Sequence, residues 1–306
     1  MDDTIVEGLT RATQKAALHA EAWIGKGDRK AADGAAVEGM RKALNQIAFE
    51  GTVVIGEGER DKAPMLFLGE KVGTGGPSID LAVDPLEGTN MAANNDYNSI
   101  AVLAASPKGT LLKAPDVYMD KIAVGPGVGD RVSLEKSVEE NLDIVSSVLE
   151  KPLEDLVVII MDRERNRDLI ERVRKKGCRI KLIMDGDIYG AIATCLGEAD
   201  MLMGIGAAPE GIIAASAVKS LGGYIEGKLW FKDEEMRAKA REMNAPEGLL
   251  RMDDMVKGDD SVFVATGVTE GFLIKGVRKV GNGKEGQTII IRKGGKEIMD
   301  FKENLE

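Results

Sequence analysis

From about residue 135 to residue 221 the chain alternates between helical patterns and short apolar runs. The alternating segments are 134–149, 156–161, 166–176, 179–184, 188–196, 200–205 and 209–221. Because strands that alternate with covering helices build parallel sheets, this order predicts a largely parallel sheet packed with helices. The sequence therefore favours the α/β (α+β layered) fold class.

The segments on either side mix helices and strands. Two helices are predicted at the start, over 3–24 and from about Gly34 to Phe49, with Asp33 at or just before the second. Short strands are predicted at 52–55, 79–83, 99–105 and 121–124, and the segment 261–301 is strand-rich again. We expect an N-terminal α+β domain over 1–133 and a C-terminal α/β domain over 134–306 with a strand-rich end.

The heptapeptide that begins at Val83 carries the strongest chemical signal. Asp84 and Glu87 follow a predicted strand and lie three residues apart, which suits a hard divalent cation. Gly88 would let an anion approach the backbone N–H groups, and Thr89 offers a hydroxyl to orient water or phosphate. The motif predicts a metal-dependent phosphate site. Taken alone, a helix cap at Asp84 with Glu87 as its capping-box partner is an equally good interpretation.

Other acidic residues also stand at predicted element ends. They are Asp33, Glu57, Glu59, Asp61 and Glu210. Ligands of α/β proteins gather at the carboxyl ends of strands, so these side chains could converge on the heptapeptide. Singly, Asp33 would be a helix cap and Glu57 a solvated loop residue. Their joint placement favours a metal site.

Two further segments follow predicted strands. Arg163 and Arg165 flank Glu164, and the planar arginine fork suits phosphate oxygens, although a solvated helix start is an alternative. Asp185-Gly186-Asp187 resembles the nucleophile motif of haloacid-dehalogenase-type phosphatases, in which the first aspartate is phosphorylated. Tyr189 stands where that family has Thr or Val, and binding of sugar hydroxyls explains the two aspartates equally well.

The composition limits the kinds of ligand and partner that the chain can bind. A net charge of -10 argues against nucleic-acid binding, whereas metal ions could invert the local field for an anionic metabolite. His19 is the single histidine, which excludes a His-rich zinc centre and leaves acid/base work to carboxylates, hydroxyls or metal-bound water. Cys178 and Cys195 are expected to be ordinary thiols. No apolar run approaches a membrane span and the start is polar, so we expect a cytoplasmic protein without a membrane partner.

The segment Asp84-Pro85-Leu86-Glu87-Gly88-Thr89, with Glu57-Gly58-Glu59 upstream, resembles the lithium-sensitive, metal-dependent phosphomonoesterase superfamily. Most members have Asp at the position of Glu87. With that departure, and with the segments around Asp33, Asp185 and Pro209, the chain resembles class II fructose-1,6-bisphosphatase from about residue 1 to 280.

The resemblance implies the layered αβαβα sugar-phosphatase fold and a requirement for Mn²⁺ or Mg²⁺. Asp33 and Glu57 would hold one metal, and a second would be held by Asp84, Glu87 and Glu210. Glu87, Gly88 and Thr89 would surround the reacting phosphate, with Thr89 orienting the attacking water and Asp61 and Arg29 assisting. Contacts with the sugar bisphosphate are implied for Tyr118, Arg163, Glu164, Arg165, Asp185, Gly186, Asp187 and the backbone at Ala207.

The activity implied is hydrolysis of the 1-phosphate of D-fructose 1,6-bisphosphate in gluconeogenesis by a homo-oligomer. Three alternatives stay open. One is specificity for sedoheptulose 1,7-bisphosphate or an inositol phosphate, and another is an aspartyl-phosphate mechanism at Asp185. The last is a non-catalytic, metal-dependent sugar-phosphate sensor.

Overall fold

A computed structural model describes residues 1–56 and 66–304 of the chain. The chain forms two compact units, a first unit of Met1–Leu111 with Asp260–Glu306 and a second unit of Leu112–Asp259. This division differs from the domain boundary expected after residue 133. The difference has two causes. The strand Val262–Gly267 pairs with Ile100–Pro107 of the N-terminal segment, and the strand Tyr118–Val124 pairs with two strands of the second unit.

Both units contain helices and strands. The helices are α1 Asp3–Glu21, α2 Arg29–Leu44, α3 Thr89–Asn94, α4 Val138–Val148, α5 Arg167–Lys175, α6 Asp187–Cys195, α7 Ala208–Ser220, α8 Glu234–Glu242 and α9 Met252–Met255. The strands are β1 Glu50–Ile55, β2 Lys71–Val72, β3 Ser78–Glu87, β4 Ile100–Pro107, β5 Tyr118–Val124, β6 Val157–Met161, β7 Arg179–Ile183, β8 Met201–Ala207, β9 Tyr224–Trp230, β10 Leu249–Arg251, β11 Val262–Gly267, β12 Arg278–Val280, β13 Gly283–Arg292 and β14 Gly295–Asn304.

The first unit is built on one sheet with the strand order β12-β13-β11-β4-β3-β1-β2, and β14 pairs with β13. β1 and β3 run parallel, whereas β4 runs antiparallel to both β3 and β11. Apolar residues of α1 at helical spacing, such as Leu9 and Ala16, pack into one core with Leu81, Leu103 and Val264 of the sheet. This core holds β3, the strand of the heptapeptide, in the middle of the sheet.

Helix α2 begins five residues earlier than predicted. The Asp28 side chain caps it by accepting a hydrogen bond from the backbone N–H of Ala31 at 3.0 Å. Because Asp28 is followed by residues of good helix propensity, the first turn forms before Gly34. Asp33 therefore lies inside the helix, and the expectation that it stands at the helix start is wrong.

The second unit is built on a sheet with the order β10-β9-β5-β8-β6-β7. β6 runs parallel to β7 and β8, as the alternating pattern predicts. β5, from the preceding segment, runs antiparallel between β8 and β9. The two mixed sheets with their helices confirm the predicted layered α/β class.

The parallel strands of the second unit place three predicted segments at one edge. The residues after β6, β7 and β8 all lie at the carboxyl ends of these strands, where ligands of α/β sheets bind. β5 runs the other way, so its first residue, Tyr118, is paired with Ala207 at the end of β8. Sheet topology thus brings Tyr118 to the same edge.

No helix within residues 1–56 and 66–304 is both long enough and apolar enough to cross a membrane. Cys178 is buried and Cys195 is half-buried, and both are free thiols. Burial raises the pKa of both thiols, to about 11 for Cys195. Neither cysteine therefore has the lowered pKa of a catalytic thiol.

Candidate active-site residues

Asp84 and Glu87 lie together because β3 is irregular between them. Asp84 is paired with Val102 and Glu87 with Ile100 of β4, so three steps along β3 match two along β4. In a regular strand residues three apart face opposite sides of the sheet, and the one-residue bulge cancels that alternation. Their carboxylate oxygens lie within 4.8 Å of each other, and both residues are buried, 8% and 4% exposed.

The bulge also decides between the two interpretations of the motif. Asp84 lies inside β3, where its carboxylate accepts a hydrogen bond from the backbone N–H of Leu86 at 3.0 Å. The residue before α3 is Gly88, which has φ +76° and supplies no side-chain cap. The helix-cap interpretation of Asp84 and Glu87 is therefore wrong, and the strand predicted over 79–83 continues to Glu87.

Two side-chain hydrogen bonds fix the backbone at Leu86 and Glu87. The buried Ser99 hydroxyl donates to the Glu87 carbonyl at 3.0 Å, and the Thr89 hydroxyl donates to the Leu86 carbonyl at 3.0 Å. Gly88 adopts the left-handed conformation that glycine accepts at little cost. The Thr89 oxygen keeps lone pairs that can accept a further hydrogen bond.

Asp33 lies one helical turn after Arg29 on the same face of α2. Arg29 donates to the side chain of Asn90, which follows Thr89, at 2.9 Å, so this face of α2 is tied to the start of α3. Asp33 is half-buried, and burial raises the pKa of its carboxyl. The predicted residues Glu57, Glu59 and Asp61 lie outside the described residues.

In the second unit, Arg165 and Tyr118 form one structural pair. The guanidinium carbon of Arg165 lies 4.4 Å from the ring centroid of Tyr118, and its Nε donates to the Ile205 carbonyl at 3.0 Å. Stacking on an aromatic ring orients the guanidinium and leaves its other N–H groups for an anion.

Arg163 and Glu164, the charged residues beside Arg165, differ in their contacts. Arg163 lines a cavity of about 240 Å³ together with Glu164 and Arg167. Glu164 forms an ion pair with Arg167 on the exposed surface, so it is already bound to a cation. Of the predicted Arg163–Arg165 segment, the two arginines are therefore better placed than Glu164 to bind phosphate.

The Asp185–Asp187 segment lies between β7 and α6. Gly186 has φ +88° and precedes the helix, while Asp187 is its first residue and only 6% exposed. Burial, and to a lesser degree the Asp187 carboxylate, raises the pKa of the Asp185 carboxyl. Glu210 lies in the first turn of α7 and is half-buried.

Two buried polar residues of this edge were missed in the sequence. Asn166 joins β6 to β8 by donating to the carbonyls of Met161 and Ile205 and accepting from the Ile205 N–H. Lys121 of β5 donates to the Asp187 carboxylate and to the Ala207 carbonyl. The available signal was a lysine that shares its strand face with Met119 and Ala123, where an apolar residue is expected.

Comparison with known proteins identifies the class of protein to which the chain belongs. The profile of the family described as bacterial fructose-1,6-bisphosphatase, glpX-encoded, matches residues 3–303. The chain is 43% identical over 301 residues to fructose-1,6-bisphosphatase 1 class 2 of Escherichia coli (strain K12), covering 93% of this chain and 90% of that protein. It is 41% identical over 309 residues to the class 2 enzyme of Haemophilus influenzae, covering 95% of this chain and 93% of that protein.

A further relative is named for two activities. The protein named D-fructose 1,6-bisphosphatase class 2/sedoheptulose 1,7-bisphosphatase of Synechococcus sp. (strain JA-2-3B'a(2-13)) is 40% identical over 320 residues, covering 95% of this chain and 92% of that protein. These matches identify a phosphoric monoester hydrolase. The chain belongs to the bacterial, glpX-encoded fructose-1,6-bisphosphatase family, which confirms the class II resemblance.

Proposed function

We propose that this protein hydrolyses the 1-phosphate of D-fructose 1,6-bisphosphate to fructose 6-phosphate and inorganic phosphate, with Mn²⁺ or Mg²⁺. The observation that carries the proposal is the buried Asp84 and Glu87 pair, within 4.8 Å, in a chain of this family. The proposed setting is gluconeogenesis in the cytoplasm, and the proposed assembly is a homo-oligomer.

The donor set of the first unit fits a hard divalent cation. Asp84 and Glu87 offer carboxylate oxygens, which are the ligands that Mg²⁺ and Mn²⁺ prefer. Two carboxylates so close together and so buried repel each other, and a divalent cation removes that repulsion. We propose Asp84 and Glu87 as ligands of one metal with Glu210, and Asp33 with Glu57 as ligands of another, as the resemblance implies.

When bound, such cations neutralise phosphoryl oxygens and lower the pKa of a coordinated water. The residues of the chain would do the positioning. The Thr89 hydroxyl already donates to the Leu86 carbonyl, so its oxygen can accept a hydrogen bond from the attacking water and direct it at phosphorus. The backbone N–H groups at Gly88 and Thr89 would face the phosphate without an intervening side chain.

The second unit supplies the groups proposed for the rest of the substrate. The stacked guanidinium of Arg165 and the neighbouring Arg163 would bind phosphate oxygens. Asp185 and Asp187 can accept hydrogen bonds from sugar hydroxyls. The Tyr118 ring supports Arg165 from β5 and also offers a phenolic hydroxyl.

The test compares two isosteric variants of one strand. Glu87→Gln removes the negative charge of a proposed metal ligand and is expected to lower phosphate release from fructose 1,6-bisphosphate at least about 100-fold. Asp80→Asn is the matched control, since Asp80 is equally buried on β3 but accepts from the Gly109 N–H at 2.6 Å instead. The control should keep its turnover number.

Three results would contradict the proposal. They are normal turnover in Glu87→Gln, a phosphorylated Asp185 trapped during turnover, and binding of the bisphosphate with Mn²⁺ but no release of phosphate. The name of the Synechococcus relative favours sedoheptulose 1,7-bisphosphate as a second candidate substrate. Assaying both bisphosphates and an inositol phosphate in parallel ranks them by kcat/KM.

A further inference from the structure

Lys121 is a charged side chain in the interior of the second unit. It is 2% exposed and stands in the middle of β5, paired with Gly204 of β8 and Gly227 of β9. Its ammonium donates to Asp187, which is 6% exposed, and to the Ala207 carbonyl at 2.8 Å. One buried cation thus joins β5, the first residue of α6 and the end of β8.

Two glycines leave the space that this cation occupies. A Cβ added at Gly206 would lie 2.8 Å from Lys121 Nζ, and one added at Gly211 would lie 3.1 Å from Lys121 Cδ. Any larger residue at position 206 would also overlap the Asp187 carboxylate. Glycine at these two positions therefore leaves the room that the ion pair between Lys121 and Asp187 needs.

Stability alone is a poor reason for such a pair. Removing two charges from water is expensive, and apolar replacement of a buried ion pair is often neutral or stabilising. The ammonium does, however, fix the directions of the Asp187 carboxylate and of the Ala207 carbonyl. These two groups lie in the segments that the proposed function assigns to the sugar phosphate.

We propose that Lys121 is a positioning residue for the substrate. By holding Asp187 and the end of β8, it presets the geometry of the Asp185–Asp187 segment and of the backbone at Ala207 before the sugar phosphate arrives. Asp187 Oδ2 and the Ala207 carbonyl are bound to Lys121, so Asp187 Oδ1 is the oxygen left for a sugar hydroxyl. The inference rests on the proposed role of these segments in binding.

The first test is Lys121→Met, which keeps an unbranched side chain and removes the ammonium and its charge. Misplaced binding groups can lower kcat/KM about 100-fold. For Lys121→Met we expect kcat/KM to fall about 10- to 100-fold, mainly because KM rises. Binding of fructose 6-phosphate, measured by calorimetry, should weaken by a similar factor. This readout does not depend on turnover, so it separates the inference from the proposed reaction.

The matched control is Lys151→Met in the same unit. Lys151 Nζ bonds the Asp200 carboxylate at 2.6 Å, and Asp200 precedes β8, at the strand end opposite to Ala207. This variant loses a partly buried ion pair too, but its KM and its affinity for fructose 6-phosphate should stay within twofold of wild type. A merely structural role for Lys121 would lower the free energy of unfolding but leave the affinity of the folded variant for fructose 6-phosphate unchanged.

A double-mutant cycle tests whether Lys121 acts through Asp187. In an Asp187→Asn background, Lys121→Met should raise KM by much less than it does alone. If Lys121→Met does not fold, Lys121→Gln, which keeps Asp187 and a neutral N–H donor at this position, should still show weakened fructose 6-phosphate binding. Unchanged fructose 6-phosphate affinity in a folded variant, or fully additive effects in the cycle, would overturn the inference.

Discussion

The substitution Gly206→Ala should disturb the sugar-phosphate edge of the second unit without replacing any side chain that is proposed to bind substrate. The φ of Gly206 is not in the left-handed region, so alanine is allowed by the backbone and only the added methyl group matters. That carbon would overlap the Asp187 carboxylate and lie 2.8 Å from Lys121 Nζ and 3.1 Å from Met161 Sδ.

The expected loss of stability depends on which of the side chains around residue 206 can move. Met161 can shift by changing rotamer, but the Lys121 and Asp187 groups are bound to each other and enclosed. Overpacking of this kind costs about 1–3 kcal/mol, whereas breaking a buried pair outright costs about 3–5 kcal/mol. We expect the lower range, because Lys121 and Asp187 can shift together without losing the hydrogen bond between them.

Urea denaturation at pH 7 would measure the free energy of unfolding, and steady-state phosphate release would measure KM. We expect a loss of about 1–3 kcal/mol together with a raised KM. A change within about 0.5 kcal/mol and an unaltered KM would refute the reasoning, since that is the range of a neutral surface substitution.

Two further predictions concern other parts of the chain. Gly34→Ala in α2, whose added Cβ meets nothing within 4 Å, should stabilise by up to about 1 kcal/mol in urea denaturation, whereas Gly39→Ala would place a Cβ 2.6 Å from the Lys15 carbonyl oxygen and destabilise. The hydrogen bond from Arg172 lowers the pKa of Glu139 from 4.5 to about 2, so this pair stabilises above pH 4.5 and loses its effect as pH falls towards 2. Glu139→Gln should therefore be less stable than wild type at pH 7, with the difference shrinking over that window; an equal difference at pH 7 and pH 3 would contradict this.

The sequence predicted the elements of the second unit well because each carries its own periodic pattern. The predicted strand over 156–161 is β6 over Val157–Met161, and the predicted helix over 188–196 is α6 over Asp187–Cys195. Local patterns do not encode which strands become neighbours. The antiparallel position of β5, and the return of β11 to pair with β4, depend on contacts between residues far apart in the chain.

The same limit applies to the candidate site. Residue types alone made Asp84, Glu87 and Thr89 candidates, because carboxylates, a glycine and a hydroxyl after a strand suit metal and phosphate chemistry. The class II resemblance specified the family. The bulge that places Asp84 and Glu87 on one side could not be seen in the sequence, since it depends on the register with β4.

By itself, then, the sequence determined the fold class, the family and the chemical character of the site, because these follow from local pattern and residue type. Only the tertiary structure revealed that Lys121 is buried against Asp187 and Ala207. An isolated lysine in a strand is ordinarily solvated, and only its neighbours in the folded sheet decide that its charge is enclosed and directed at those two groups.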